Sequence, residues 1–347
     1  MTARLQALDK HTDVLRLHAS ENVYGASSFV LDAVAEELSN IHRYPDSAGT
    51  ELVHAIAGFH GVAPERVSIG NGVDEIILLL VLALANGARA ALTTDATFPS
   101  YRESMRATGQ PYTTCALRDY RVPVDELAAR LRDGAPFAFV CTPHNPTGGV
   151  LDEAAITTLH QAAISGGGVL IVDEAYGEFA AAGFASSLPA AATGRNICVM
   201  KTFSKAYGLA GLRVGYVVGD PAVIAKVNRL HPAVPYHVNR LAQRAAVAAL
   251  ADQRFMRESV ARTVETREHF RDRLHALGLR SLPSQGNFVL VHLGQAHESL
   301  VMLLRANGFA VRDTADMGLP HHIRVSIGTP EQMQAFLDGL ADLLPLR

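Results

Sequence analysis

"KTFSKAYGLAGLRVGY", residues 201–216, sets two hydroxyl residues, a lysine and an arginine into a run of small and apolar side chains. The setting suggests burial for Lys205 and Arg213. An ammonium buried without a partner costs several kcal/mol, so such a lysine is neutralised, paired or used covalently. The segment closes one strand, turns through Ser204 and Lys205, and returns toward a second strand. The segments before it share that form: a short apolar strand ending on a residue capable of chemistry.

Probable strands lie at 66–69, 88–93, 111–115, 137–142, 168–173, 196–202 and 213–218, with helices at 73–85, 100–108, 124–132 and 152–165. Strand and helix alternating at this spacing imply an α/β fold, a mainly parallel sheet in a three-layer α/β/α large domain. Beyond residue 220 the pattern changes to long helices. Strands follow near 287–292, 309–312 and 323–327, and a helix from Pro330 closes the chain. That tail reads as a smaller α+β domain, joined by the N-terminal thirty residues because the main sheet begins only near residue 66. The expected division is 31–245 for the large domain and 1–30 plus 246–347 for the small one.

Composition narrows the function. The 347 residues are 48% apolar and 19% charged, enough for a substantial core. A formal net charge of −3 without a basic block gives no support to nucleic-acid or anionic-membrane binding. The longest apolar run, "IILLLVLALA" at 76–85, is about half of a membrane span. The first thirteen residues carry no long apolar stretch, so no secretory signal is visible and a cytoplasmic protein is expected. Cys115, Cys141 and Cys198 lack CxxC spacing and read as reduced core thiols. Fifteen histidines form no ligand-spaced set, so no metal is expected; the pair His321-His322 reads as loop surface.

Ligand sites in open α/β sheets lie beyond the carboxyl ends of parallel strands. After the first strand, "GNGVDEII" turns directly onto a helix, where Gly72, Val73 and Asp74 offer free backbone N–H groups to a phosphate. Glu75 stands where a dinucleotide fingerprint needs its third glycine. "TFPSY" can present Phe98 as a flat apolar face, and "PHNPTGG" holds the Asn145 amide in a rigid loop. The strand in "GGGVLIVDEAYGEF" ends on Asp173, a desolvated acid that calls for a cationic partner, with Tyr176 just beyond. Thr202, Ser204 and Lys205 complete the rim. An amine, a buried acid, hydroxyl and amide donors and an anion seat are what pyridoxal 5′-phosphate needs.

In order and wording these pieces resemble the fold-type I aminotransferases, and most closely the histidinol-phosphate aminotransferase family. The likeness runs from "VLRLHASENVYG" to "IRVSIGTPEQM" and includes "HRYPD", "PYHVN" and "PSQGNF". It implies a pyridoxal-phosphate-dependent transaminase exchanging an amino group between an amine donor and a 2-oxo acid. Lys205 is then the lysine that holds the cofactor aldehyde, Asp173 the partner of the pyridinium, Tyr176 and Asn145 the donors to O3′, and Phe98 the stacking ring. The cofactor phosphate falls to Gly72, Val73, Asp74, Thr202, Ser204 and Arg213. Tyr44 of "HRYPD" resembles a tyrosine that reaches a phosphate across a homodimer interface, while Tyr24, Arg312 and Arg324 resemble substrate-binding residues. One stretch departs from the family: "HASENVYG" stands where "ASNENPYG" is usual, with His18, Ser20 and Val23 as the changes. A decarboxylase of the threonine-phosphate type and an oxidase share the scaffold and are the alternatives. A pyridoxal-fold regulator would need a helix-turn-helix, and none is visible.

Overall fold

The computed structural model describes residues 14–344. Part of the expected small domain, 1–13 and 345–347, and the reading of the extreme N-terminus lie outside the described residues. The strands are β1 (Leu15–Leu17), β2 (Val67–Gly70), β3 (Ala91–Thr94), β4 (Tyr112–Cys115), β5 (Phe137–Cys141), β6 (Val169–Asp173), β7 (Ile197–Thr202) and β8 (Gly215–Gly219), then β9 (Arg280–Ser281), β10 (Phe288–His292), β11 (Phe309–Asp313) and β12 (His322–Ser326).

Seven strands form the large sheet in the order β2-β8-β7-β6-β5-β3-β4, parallel except for β8, which runs antiparallel to both neighbours. Its central strands alternate between two cores, as a sheet covered on both faces must. Phe137, Phe139, Ile171, Cys198 and Met200 pack with the helix Gly72–Leu84 and with Tyr101. Ala138, Val140, Leu170, Val172 and Val199 face the helices Val124–Arg132 and Glu153–Gly166. A third core packs the β2–β8 edge against Thr50–His60 and Arg240–Ala251. Each Leu, Ile or Phe sealed in these layers contributes about 1.5–3 kcal/mol by leaving water. The three cysteines are buried and reduced.

The five-stranded sheet has the order β1-β11-β12-β10-β9. One face carries Leu15, Leu17, Val289, Val291, Ile323 and Val325 into a core with Phe270 and Phe336. The opposite face carries Arg324, whose guanidinium reaches Asn145 on the loop after β5. The closing helix Pro330–Leu343 starts at a capping box of Thr329 and Gln332.

Three expectations change. The strand predicted from 213 begins at Gly215, because Arg213 takes a left-handed backbone with φ 56°. Arg213 and Lys205 are themselves only partly buried. His322 is no loop residue: it pairs with His292 in β12, and its ring meets the Tyr120 hydroxyl at 3.1 Å and the Pro320 carbonyl at 2.7 Å. His321 alone is exposed. Among the described residues no cluster of three or more His, Cys, Asp or Glu side chains could hold a metal, and no helix is long and apolar enough to cross a membrane.

Candidate active site

The carboxyl ends of β2, β5, β6 and β7 open on one cavity of about 290 Å³, lined by Val73, Asp74, Phe98, Asn145, Asp173, Tyr176, Thr202, Ser204, Lys205 and Arg213. Ten residues spread over 141 positions thus meet because parallel strands end on the same edge. At its anion-seeking corner, Gly72 has φ +78° and opens the helix Gly72–Leu84, while the Arg213 guanidinium lies where a Cβ would stand. Only glycine suits that place. Arg213 Nη2 bonds Asp74 Oδ2 at 2.8 Å, and Ser100 Oγ donates to Asp74 Oδ1 at 2.7 Å. The Asp74 carboxylate therefore holds the guanidinium at the cavity edge, and its backbone N–H belongs to the helix start.

Across the cavity, Lys205 Nζ donates to the Ala19 carbonyl at 2.8 Å and lies 5.7 Å from the Tyr176 ring centroid. Burial, with Arg324 second, brings its pKa down to about 8. Asp173 is pushed up to about 6, chiefly by burial. Its two oxygens accept the Tyr101 hydroxyl at 2.5 Å and the Ala175 N–H at 2.9 Å. Among the described residues no cation forms an ion pair with it. The cationic partner expected from sequence is absent from the chain itself, and a buried acid so placed fits a ligand that brings its own positive charge. Tyr176 is raised to about 12, first by burial.

Tyr101 was not legible as a site residue. It is fully buried, stacked on Phe139 with ring centroids 4.8 Å apart, and edge-on to Phe98 at 5.7 Å. One side chain therefore braces both the Phe98 ring and the Asp173 carboxylate. The "TFPSY" segment contains it, but its partner lies 72 positions away.

The remaining candidates sit outside the cavity wall. Arg324 is buried behind Asn145, donating through Nη1 to Asn145 Oδ1 at 2.5 Å and through Nη2 to the His18 carbonyl at 2.8 Å. Arg312 pairs with Asp316 at 2.6 Å and sits opposite Arg324 in the β11–β12 register. Tyr24 lies elsewhere, its ring 4.0 Å under the Arg262 guanidinium. Tyr44 is 76% exposed and stacked on Tyr236, outside the cavity of its own chain.

The donor set fits pyridoxal 5′-phosphate: a half-buried amine of lowered pKa, an acid without a cation, a flat ring and an anion corner of backbone N–H, hydroxyl and guanidinium groups. Comparison with known proteins agrees. The family model described as aminotransferase class I and II matches residues 12–340. A histidinol-phosphate aminotransferase from Rhodospirillum centenum is 36% identical over 96% of this chain and 92% of its own length. One from Halalkalibacterium halodurans is 33% identical over 95% of this chain and 89% of its own. Among solved structures, a histidinol-phosphate aminotransferase from Sinorhizobium meliloti in complex with pyridoxal-5′-phosphate superposes with TM-score 0.86 at 28% identity, covering 94% of this chain and 90% of that one. The chain belongs to the class I and II aminotransferases, enzymes that work with pyridoxal 5′-phosphate.

Proposed function

We propose that this transaminase moves an amino group between histidinol phosphate, or a related amino compound, and a 2-oxo acid such as 2-oxoglutarate, as a cytoplasmic homodimer. The observation that carries the substrate class is the buried Arg324, which among the described residues has no carboxylate partner and sits one residue behind the cavity wall. A guanidinium so held suits the paired oxygens of a carboxylate or a phosphate. Relatives more than 30% identical that bear the histidinol-phosphate name support the donor.

In this reading the bound cofactor supplies an aldehyde for amines and an electron-withdrawing ring that stabilises charge at the substrate Cα. Lys205 is the amine that holds it and, once free, the base that takes the Cα proton through Nζ. A pKa near 8 leaves a useful fraction of that amine unprotonated at neutral pH. Asp173 would hold the ring nitrogen as a carboxylate, with Tyr101 fixing one of its oxygens. Tyr176 and Asn145 would donate to the ring hydroxyl, and Phe98 would cover the ring. The N–H groups of Gly72, Val73 and Asp74 hold the phosphate together with Thr202, Ser204 and Arg213. Arg312, Arg324 and Tyr24 serve the substrate. Tyr44 reaches the neighbouring subunit's phosphate. Its exposure, with Ile41 at 66%, favours a surface covered by a second copy. The domain division is read as 31–245 and 1–30 plus 246–347, of which 1–13 and 345–347 lie outside the described residues.

The test is a panel of amine donors, histidinol phosphate and phenylalanine among them, with 2-oxoglutarate as acceptor. Glutamate, carbon dioxide and peroxide are measured side by side. Glutamate formed fastest from histidinol phosphate is the expected result. Carbon dioxide or peroxide as the main product would move the chain to the decarboxylase or oxidase branch of the scaffold.

A further inference from the structure

The face of the five-stranded sheet that looks toward the cavity carries a row of basic side chains. β1 runs parallel to β11 with Leu17 opposite Val311, and one more step of that register sets His18 beside Arg312. Arg312 in turn stands opposite Arg324. Residues in register on neighbouring strands share a face and approach within reach of long side chains. His18, Arg312 and Arg324 therefore form one rung across three strands. The alternate positions, Leu17, Ile323 and Val325, turn into the core behind.

Like charges side by side are unfavourable, and the rung is only partly compensated. Arg312 has Asp316, Arg16 beside His18 has Glu21, and Arg324 has only the Asn145 amide oxygen and the His18 carbonyl. Two nitrogens of the rung, His18 Nδ1 and Arg324 Nε, are buried without a hydrogen-bond partner. Burial and the cations Arg16, Arg324 and Arg312 lower the His18 pKa, and only Glu21 opposes them. A rung with two unpartnered nitrogens and surplus positive charge, adjoining the cavity through Ala19 and Asn145, is suited to take an anion.

We propose that His18 is a substrate-binding, specificity-determining residue: its imidazole N–H joins Arg312 and Arg324 in holding the anionic group of the substrate, and favours a phosphate monoester. This rests on the transaminase reading above and deepens it. A phosphate has more oxygens to offer than a carboxylate, so a third donor is better used on it.

Inorganic phosphate is the probe, used on wild-type, His18→Ala and His18→Gln holoenzymes whose cofactor seat is already filled. Inhibition is measured with whichever amine donor wild type turns over fastest, beside the rise in melting temperature that phosphate produces. For His18→Ala the inhibition constant should weaken about tenfold, the worth of one charge-assisted hydrogen bond, and the melting shift should shrink with it. KM for an anionic donor should rise far more than kcat falls. His18→Gln keeps an N–H and should recover most of both losses. An inhibition constant within twofold of wild type in His18→Ala would overturn the proposal. So would equal losses in KM for anionic and uncharged-tail donors, which mark a packing role. Phosphate inhibition that depends on His18 in an enzyme inactive on histidinol phosphate would refute the named donor and leave the binding role standing.

Discussion

Two lysines of one segment, four residues apart, are treated in opposite ways. Lys201 lies within β7, 7% exposed, with Nζ 2.7 Å from Glu178 and 3.9 Å from Glu174. Glu174 is itself held by the Ser187 N–H at 2.5 Å and the Ser186 hydroxyl at 2.7 Å. Against the cost of burial, these acids raise the Lys201 pKa, so it stays charged. Lys205 lies just past the strand end, bonds a carbonyl, forms no ion pair among the described residues, and falls to about 8. Burial alone does not make a lysine reactive; burial without a counter-charge does. The same contrast separates the acids. Glu174, fully buried beside Lys201, is compensated, whereas Asp173, its neighbour in sequence, is not.

If the contrast is real, the two lysines fail differently. Lys205→Ala should lose turnover by several orders of magnitude while the ligand-free protein melts no lower than wild type, checked by steady-state assay and thermal melting. Lys201→Met should do the reverse in kind. It strands Glu174 and Glu178 in the interior and should cost about 3–5 kcal/mol of stability, read by denaturant titration, with the lysine at 205 still chemically competent. Equal stability losses in the two variants would erase the distinction.

The smallest effect concerns Asp173. Its folded pKa of about 6 lies above the ordinary 3.8. An acid raised on folding favours the folded state below its unfolded pKa, and that benefit is lost as pH rises through about 6. Ligand-free Asp173→Asn should therefore be more stable than wild type at pH 8, by about 3 kcal/mol, and the gap should close below pH 4. Melting curves across that range decide it; a gap that widens in acid would show the sign to be wrong.

The large sheet was readable because each central strand is a short apolar run flanked by glycine or an acid, and the ligand edge followed from parallel topology. Gly72, Asp173 and Lys205 stand out for the same reason: each interrupts a pattern that burial would otherwise keep apolar. What escaped depends on distant pairing. Tyr101 looks like an ordinary helical aromatic until Asp173 arrives from 72 positions away. Lys201 is one residue of a strand, and its partners come from the loop after β6. β1 has three residues and β9 two, too short for any period-2 signal. The basic rung exists only once β1 pairs with β11 across some 290 positions, so His18 showed in the sequence merely as a departure from a familiar motif. His322 was misplaced because β12 starts one residue before the apolar run that marks it.

Borohydride reduction of the holoenzyme followed by peptide mass mapping tests the central claim most directly, since it fixes the cofactor to whichever amine holds it. The mass of the reduced cofactor on the peptide containing Lys205, and none on Lys201, is the predicted result. A label on Lys201, or on no lysine of the segment 201–216, would contradict the account.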